Sequence, residues 1–302
     1  MKIVVTGGAG FIGSHVVDAY VKAGHAVAVI DNLVNGSRAN VNPRAKFYKA
    51  DIRDRAAMDR IFKKERPETV NHHAALIDVV ASVRDPIPTL QTNVLGLVNV
   101  LLAFGKYGRG KNRRFIFSSS GGAIYGAPKH LPADEHERTI TLSPYGLAKH
   151  LGEEAIAFYA RHYGFDRVIF RYANIYGPRQ KGGVVAIFGK LMKADRCPVI
   201  FGDGTKARDY VYVGDAARAN LIALRRGKGE TVNLGNGTLV TDRKIFDAIA
   251  RELKFEKKPV YAPYRKGEVY LSSLSARKAK KILGWQPRVS LRDGIRATLR
   301  AL

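Results

Sequence analysis

The chain has 302 residues, of which 46% are hydrophobic and 25% are charged. This length predicts one large α/β unit with a smaller lobe. No apolar run in the sequence approaches the roughly 20 residues that a membrane span requires, and the first residues do not resemble a signal peptide. We therefore expect a cytoplasmic protein that does not bind membranes.

The formal net charge of +25 is the unusual feature of the composition. Such a charge attracts either nucleic acid or a phosphate-bearing substrate. The basic residues form short groups at 109–114, 225–228 and 277–281, which is typical of solvated turns and helices rather than of a binding tail. Nucleic-acid binding is therefore not expected.

Cysteine, methionine and glutamine are all scarce. Cys197 is the only cysteine, which excludes an internal disulfide and a cysteine-rich metal site, and we expect no metal. Glutamine occurs only at positions 91, 180 and 286. This depletion is typical of proteins from hot environments, so a thermophilic source is expected.

Short apolar runs alternate with longer amphipathic stretches in the first part of the chain. This alternation predicts βαβ units and a parallel sheet that is covered on both faces. The runs that predict strands are 2–6, 26–31, 46–50, 69–72, 114–118 and 167–171.

After residue 173 the pattern breaks into glycine- and proline-rich pieces, with strands predicted near 209–213 and 230–234. We expect a dinucleotide-binding domain over 1–173, completed by a returning strand and helix near 209–234. A smaller α/β lobe for the substrate is expected from 174–208 and 235–302.

The first strand leads into the glycine-rich turn 7–13 and then into a helical run over 14–23. Glycine lets the backbone turn tightly and approach a pyrophosphate, and the N-terminus of the helix offers free N–H groups to the anion. Asp31 ends the second strand about 20 residues later, where an acid binds ribose hydroxyls. The order predicts a Rossmann-type doubly wound fold that binds NAD, although Arg38 leaves NADP open.

Tyr145 and Lys149 are four residues apart in a predicted helix, so the phenol and the ammonium share one face. A neighbouring cation favours the phenolate, which makes Tyr145 a candidate base near neutral pH, and the oxidised nicotinamide acts in the same direction. The run Ser118–Ser120 ends a predicted strand at the edge where open α/β sheets bind ligands. Ser119 and Ser120 are both candidates for a hydroxyl that binds the reacting oxygen, and we favour Ser120.

These ordered motifs make the chain similar to the extended short-chain dehydrogenases/reductases, and within them to the UDP-glucose 4-epimerases and related nucleotide-sugar epimerases. The resemblance runs over essentially the whole length. It is carried by the segments 6–15, 31–33, 51–53, 72–75, 118–126, 143–149, 171–180 and 208–213.

The resemblance implies a catalytic set of Ser120, Tyr145 and Lys149. It also implies two sets of binding residues. For the cofactor these are Gly7, Gly10, Phe11, Ile12, Gly13, Asp31, Asn32, Asp51, Ile52, Ala74, Ala75, Asn93, Ser118, Tyr145, Lys149 and Tyr172. For the sugar nucleotide they are Ser120, Asn174, Val184, Val185, Phe201, Arg208, Tyr210, Arg265 and Glu268.

The implied reaction is the 4-epimerisation of a UDP-hexose through a transient 4-keto sugar, with NAD as a retained cofactor. Ile77 stands where some epimerases carry a lysine, so the preferred sugar stays open. UDP-N-acetylhexosamine or UDP-glucuronate epimerases and reductases are the alternatives within the enzyme class. A regulatory or RNA-associated NAD-binding protein is the alternative outside it. The resemblance further implies a homodimer, built from the helices after Asn93 and after Tyr145.

Overall fold

A computed structural model describes residues 1–264 and 269–302 of the chain. Its strands are β1 (Lys2–Thr6), β2 (Ala26–Asp31), β3 (Lys46–Lys49), β4 (Thr69–His72), β5 (Arg114–Ser120), β6 (Asp166–Tyr172), β7 (Asn174–Tyr176), β8 (Val199–Phe201), β9 (Ala207–Arg208), β10 (Tyr210–Tyr212), β11 (Thr231–Leu234), β12 (Val240–Thr241), β13 (Val260–Ala262) and β14 (Leu271–Ser272).

The α-helices are α1 (Phe11–Lys22), α2 (Arg55–Glu65), α3 (Val79–Arg84), α4 (Pro86–Leu90), α5 (Leu97–Tyr107), α6 (Gly121–Tyr125), α7 (Pro144–Tyr163), α8 (Val184–Lys193), α9 (Val213–Ala223), α10 (Asp242–Leu253), α11 (Arg277–Leu283) and α12 (Leu291–Arg300). A π-helical turn, Gln91–Gly96, connects α4 to α5.

Seven strands form one parallel sheet in the order β11-β6-β5-β4-β1-β2-β3. From β1 the chain runs outward through β2 and β3, and then returns to β4 on the other side of β1. Open α/β sheets bind ligands beyond the carboxyl ends of the strands at such a reversal. The predicted doubly wound sheet is confirmed, and its switch point lies between β1 and β4.

The side chains of each strand alternate between two apolar layers. In β1, Val5 packs toward α1 and α9, whereas Val4 packs toward α2 and α5. Trp285 is fully buried in the first layer and Phe104 in the second. Burial on both faces explains why the sequences of the sheet strands are nearly continuous apolar runs.

The smaller lobe has its own core between α8, α10 and α12, with Tyr176 and Phe246 among its largest side chains. Two segments depart from the predicted division. Tyr210 packs in this core, although 209–234 is assigned to the larger domain, and the segment 277–285 packs on the sheet core, although it is assigned to the lobe. The division into two domains therefore stays a proposal.

Two other predicted elements differ from the structure. The strand expected near 209–213 pairs with β7 in a separate two-stranded sheet, so that only β11 returns to the main sheet. The first helix begins at Phe11 and not at residue 14, because Gly10 serves as its N-cap. This earlier start brings the helix N-terminus to the glycine turn.

The helical segment Pro86–Tyr107 corrects one expectation from the sequence. Its 22 residues, with a mean hydropathy of 1.5, are long and apolar enough to cross a membrane by length and composition. The sequence pattern did not reveal it because polar residues such as Thr92 and Asn93 interrupt the run. Half of its most apolar window is buried inside the protein, and core helices of soluble proteins pass the same test.

Candidate active site

The turn between β1 and α1 has no room for side chains. Gly7 has a φ of +69°, and a Cβ there would lie 2.5 Å from the backbone nitrogen of Ala74. A Cβ on Gly13 would lie 2.3 Å from the carbonyl oxygen of Gly7. No side chain caps the N-terminus of α1, where Gly10 is the N-cap. The turn thus offers free backbone N–H groups to an anion such as a pyrophosphate.

Two acids lie at the carboxyl ends of β2 and β3. Asp31 accepts hydrogen bonds from the backbone nitrogens of Ala9, at 3.0 Å, and Leu33, at 2.8 Å. Asn32 donates to the Asp51 carboxylate at 2.9 Å. Hydrogen bonds from Arg53 lower the pKa of Asp51 to about 2. Both carboxylates are therefore held in place by hydrogen bonds from the chain around them.

A cavity of about 250 Å³ lies between the glycine turn and Asp31, and Asp51 does not line it. Its wall also contains His73, whose two ring nitrogens are buried and have no hydrogen-bond partner among the residues that the structure describes. Burial lowers the pKa of His73 to about 3, so that the ring is neutral. An uncharged, unpartnered ring in the wall fits a site that a ligand completes. Seven predicted cofactor residues line the cavity: Gly7, Gly10, Asp31, Asn32, Ile52, Ala74 and Ala75.

Other predicted cofactor residues support the cavity instead of lining it. The amide of Asn93 exchanges two hydrogen bonds of 2.8 Å with the backbone of Leu76 and so holds the segment after β4. The hydroxyl of Tyr172 is buried and accepts a hydrogen bond from Asn220 at 2.7 Å. Its ring lies in the sheet core, which leaves only its backbone to face a ligand. Phe11 and Ile12, in the first turn of α1, pack against the same core.

The structure separates the roles of the three serines at the end of β5. The hydroxyl of Ser119 donates to Glu153 at 2.6 Å and is buried. Ser120 hydrogen-bonds the phenol of Tyr145. The carbonyl oxygen of Ser118 accepts a hydrogen bond of 2.6 Å from Lys149. Ser120 is thus the serine beside the phenol, which agrees with the choice favoured from the sequence.

Helix α7 brings Tyr145 and Lys149 to this strand end. Ser143 is the N-cap of this helix, and its side chain accepts a hydrogen bond from the backbone nitrogen of Gly146. Pro144 occupies the first turn. The Nζ of Lys149 lies 5.9 Å from the centroid of the Tyr145 ring. The predicted common face of the two side chains is therefore present.

One electrostatic expectation is wrong for the protein without cofactor. Burial raises the pKa of Tyr145 to about 12, and the hydrogen bond with Ser120 opposes this shift only in part. Lys149 points to the Ser118 carbonyl and lies over the face of the phenol ring, so it does not bring the phenol near neutral pH. Burial lowers the pKa of Lys149 itself to about 8. Ionisation of Tyr145 at neutral pH therefore requires an additional positive charge.

The described residues that are expected on the sugar-nucleotide side differ in their burial. Val185 and Tyr210 are buried in the lobe core, so their side chains are not open to a ligand in this structure. The Arg208 guanidinium donates to the carbonyl oxygens of Ala207, at 3.0 Å, and Tyr270, at 2.8 Å. Asn174 is exposed at the start of β7, and Val184 and Phe201 are half-buried. Arg265 and Glu268 lie outside the described residues.

Reasoning from the sequence missed Glu153 and did not assign a role to His73. Glu153 stands four residues after Lys149, and this spacing was the available signal. Within residues 1–264 and 269–302, no three His, Cys, Asp or Glu side chains are grouped so that they could hold a metal ion.

The site and fold agree with comparisons to known proteins. Residues 3–235 match the model of the NAD dependent epimerase/dehydratase family. The chain belongs to this family. A putative UDP-glucose 4-epimerase of Methanocaldococcus jannaschii is 46% identical over 298 residues, which cover 97% of this chain and 96% of that protein.

Two solved structures are similar over their whole length. The UDP-glucose 4-epimerase of Thermotoga maritima, determined with UDP-glucose, has a TM-score of 0.97 and 46% identity, covering 100% of this chain and 98% of that one. The UDP-glucose 4-epimerase of Thermus thermophilus, in complex with NAD, has a TM-score of 0.93 and 39% identity, with coverage of 100% and 98%. Membership of an NAD dependent family identifies NAD as the cofactor, and the glycine turn and Asp31 stand where a dinucleotide binds.

Proposed function

We propose that this protein is an NAD-dependent UDP-hexose 4-epimerase that interconverts UDP-galactose and UDP-glucose. The observation that carries the proposal is the convergence of Ser120, Tyr145 and Lys149 at the end of β5, in a fold whose glycine turn and Asp31 line a cavity. The similar proteins that bear the name UDP-glucose 4-epimerase support the choice of substrate.

NAD, when bound, would supply a reversible acceptor for the hydride at C4 of the sugar. Tyr145 accepts the proton of the 4-hydroxyl as that hydride leaves, so that a 4-keto sugar forms. Ser120, which already hydrogen-bonds the phenol, holds the same substrate oxygen. Lys149 keeps a positive charge beside the phenolate. Tyr145 gives the proton back after the keto sugar has presented its opposite face.

The keto sugar must rotate to present its opposite face, and this rotation requires a firm hold on the diphosphate. We assign this hold to Arg208 and Arg265, because guanidinium groups bind phosphates in a bidentate manner. We further assign the nucleotide and sugar contacts to Asn174, Val184, Phe201 and Glu268, and backbone contacts to Val185 and Tyr210. Binding of the nucleotide then requires Arg208 to exchange at least part of its present contacts with backbone carbonyls.

The test is incubation of the purified protein with NAD and UDP-galactose, followed by chromatographic separation of the products. A parallel incubation with UDP-N-acetylgalactosamine compares the alternative sugar. We expect UDP-glucose to accumulate to an equilibrium ratio that is the same from either direction. Conversion of neither sugar nucleotide would contradict the proposal.

We also propose that the protein is a homodimer. The helical segment Pro86–Tyr107 and α7 expose apolar side chains, among them Leu95 (61% exposed) and Phe158 (56% exposed). Leu147 and Leu151 are also exposed and lie one turn apart on α7. Two such helices from each of two copies would form a four-helix bundle that covers these side chains.

Sedimentation velocity of Phe158→Glu tests this interface. We expect the wild type to sediment as a dimer and the variant to shift toward a monomer, because a charge replaces a buried apolar group. Val260→Glu, also exposed but outside these helices, is the matched control and should remain dimeric. A monomeric wild type would contradict the proposal.

We also propose a cytoplasmic location and a thermophilic source. UDP-sugars and NAD are metabolites of the cytoplasm, which favours that location. The scarcity of Gln, Met and Cys favours a hot environment. A midpoint of thermal unfolding above about 90 °C would support that source.

A further inference from the structure

A buried carboxylate lies one helical turn beyond Lys149 on α7. The side chain of Glu153 is 6% exposed, and no step of the proposed reaction uses it. Burial of a carboxylate costs free energy unless charges and hydrogen bonds compensate for it. Because Glu153 lies so close to the reacting groups, it is a candidate for a role in the site.

Glu153 joins three elements of the fold. From β5, the hydroxyl of Ser119 donates to its Oε1 at 2.6 Å. From β6, Arg171 donates from Nη2 to Oε2 at 2.6 Å and from Nε to Oε1 at 3.0 Å. The ion pair is therefore bidentate, the geometry in which an arginine and a carboxylate interact most strongly.

The pair continues into a hydrogen-bonded network. Nη1 of Arg171 donates to the hydroxyl of Tyr125 at 2.9 Å, and that hydroxyl donates to Oδ1 of Asn233 at 2.9 Å. Both charges are thus satisfied by several partners, and a satisfied buried network restricts the side chains that belong to it.

Ser119, which Glu153 holds by a hydrogen bond, lies between two residues that contact the catalytic side chains. Ser119 is flanked by Ser118, whose carbonyl receives Lys149, and by Ser120, which bonds Tyr145. A shift of Ser119 relative to α7 would therefore change both contacts at once. Displacements of about 1 Å at such a site are enough to lower the rate of a reaction substantially.

We propose that Glu153 is a positioning residue of this site, an inference that rests on the proposed epimerase function. It fixes the end of β5 against α7. Ser120 thereby keeps its hydrogen bond with Tyr145, and the ammonium of Lys149 keeps its hydrogen bond with the Ser118 carbonyl. The negative charge of Glu153 also maintains Lys149 in the protonated form.

The charges around Lys149 support the second part of this role. Burial opposes a positive charge on Lys149, whereas Glu153 favours it. The groups that face Lys149 are Tyr145 and Glu153 on α7, His72 and His73 on β4 and the turn after it, Phe117 and the Ser118 carbonyl on β5, and Arg171 on β6 behind Glu153.

The test compares the NAD-loaded wild type with Glu153→Gln, which removes the charge and retains an acceptor for Ser119. The double variant Glu153→Gln/Arg171→Met removes both charges, so that no unpaired arginine is left buried. Ser119→Ala removes one hydrogen bond without a change of charge. Glu256→Gln, an exposed position in the lobe, is the matched control for loss of a glutamate.

We expect Glu153→Gln and the double variant to lower kcat roughly 10- to 100-fold, while KM for the sugar nucleotide changes less than about threefold. The alkaline limb of the kcat profile should move about one pH unit lower, because Lys149 loses its proton more easily. Ser119→Ala should lower kcat by about threefold and leave that limb in place. Glu256→Gln should match the wild type.

A second measurement needs no substrate. The ultraviolet difference signal of tyrosinate is titrated in the NAD-loaded protein, and the titration of Tyr145→Phe is subtracted. We expect the Tyr145 signal of Glu153→Gln to appear at higher pH than that of the wild type, because the Ser120 and Lys149 contacts are weakened.

Unchanged kcat, alkaline limb and tyrosinate titration in the charge variants would overturn the proposal and leave Glu153 a structural ion pair. If both charge variants fail to fold, Ser119→Ala is the deciding variant. Wild-type values of its kcat and of its tyrosinate titration would overturn the proposal. A wild type that converts no UDP-hexose would contradict the proposed function, whereas the tyrosinate titration would still decide the role of Glu153.

Discussion

The Nζ of Lys149 donates a hydrogen bond of 2.6 Å to the carbonyl oxygen of Ser118. This contact ties the ammonium to the end of β5, where its Nζ lies 5.9 Å from the centroid of the Tyr145 ring. The phenol oxygen is instead hydrogen-bonded by Ser120. The ammonium of Lys149 and the phenol of Tyr145 therefore have different partners at the end of β5.

Replacement of Tyr145 by phenylalanine should abolish most of the activity. The variant retains the ring and its packing but loses the group that accepts the proton of the 4-hydroxyl. We expect kcat to fall by about 10²- to 10⁴-fold, the usual contribution of a positioned acid or base. The conversion of UDP-galactose is measured by chromatography, and Tyr159→Phe on the same helix is the control. Full activity of Tyr145→Phe would contradict the assigned role.

Ser120→Ala should impair the reaction more than Ser119→Ala does. The hydrogen bond from Ser120 lowers the pKa of Tyr145, so its loss makes the phenol harder to ionise. We expect kcat to fall roughly 10- to 100-fold and the acid limb of the pH profile to move to higher pH. If Ser119→Ala caused the larger loss, the assignment of the two serines would be reversed.

The activity should decline in alkaline solution. Burial lowers the pKa of Lys149 to about 8, so the ammonium that stabilises the phenolate is lost as the pH rises through that value. We expect kcat, measured from about pH 6 to about pH 10, to show a falling limb. Lys149→Arg should be less active but lack this limb, because an arginine keeps its charge. A limb at the same pH in both proteins would assign it to another group.

Gly13→Ala should weaken cofactor binding. The new Cβ would lie 2.3 Å from the carbonyl oxygen of Gly7, and the turn must shift to relieve this contact. We expect a loss of at least about 10-fold in NAD affinity, measured by isothermal titration calorimetry. Gly182→Ala, where the added carbon meets nothing within 4 Å, should bind NAD like the wild type. Equal affinity of the two variants would refute this account of the turn.

The cofactor-free protein should lose stability in acid because of the buried imidazoles. Burial lowers the pKa of His73 to about 3 and lowers that of His72 well below its usual value. In the unfolded chain histidine titrates near 6.5, so this stabilisation is complete above about pH 6.5 and is lost as the pH falls toward the folded-state pKa values.

Urea unfolding at about pH 7 and about pH 4 measures this effect. We expect His73→Gln to reduce the loss of unfolding free energy between these pH values by about 1–3 kcal/mol. His130→Gln, at an exposed histidine, should reproduce the wild-type loss. An equal loss in the wild type and in His73→Gln would show that His73 is not buried in the neutral form.

Local patterns were sufficient to predict the sheet and the cofactor turn. The strand, glycine turn and helix around Gly7 and Gly13 follow from neighbours in the sequence, and the position of Asp31 follows from the length of one βα unit. The start of α1 differed by three residues, because the N-cap role of Gly10 depends on the geometry of the turn.

Contacts between distant elements could not be predicted in this way. Glu153 shares a helix face with Lys149, but its partners Ser119 and Arg171 come from two different strands. The burial of Val185 and Tyr210 depends on how α8 and β10 pack within the lobe. The raised pKa of Tyr145 likewise depends on burial, which the spacing of Tyr145 and Lys149 does not reveal.

The most direct test of the central claim follows the hydrogen at C4 during turnover. UDP-galactose carrying deuterium at C4 is incubated with the NAD-loaded protein in ordinary water, and the UDP-glucose that forms is analysed by NMR spectroscopy and mass spectrometry. If the hydride is taken up and returned within one site, the product retains its deuterium at C4. Loss of the label to solvent would contradict the account.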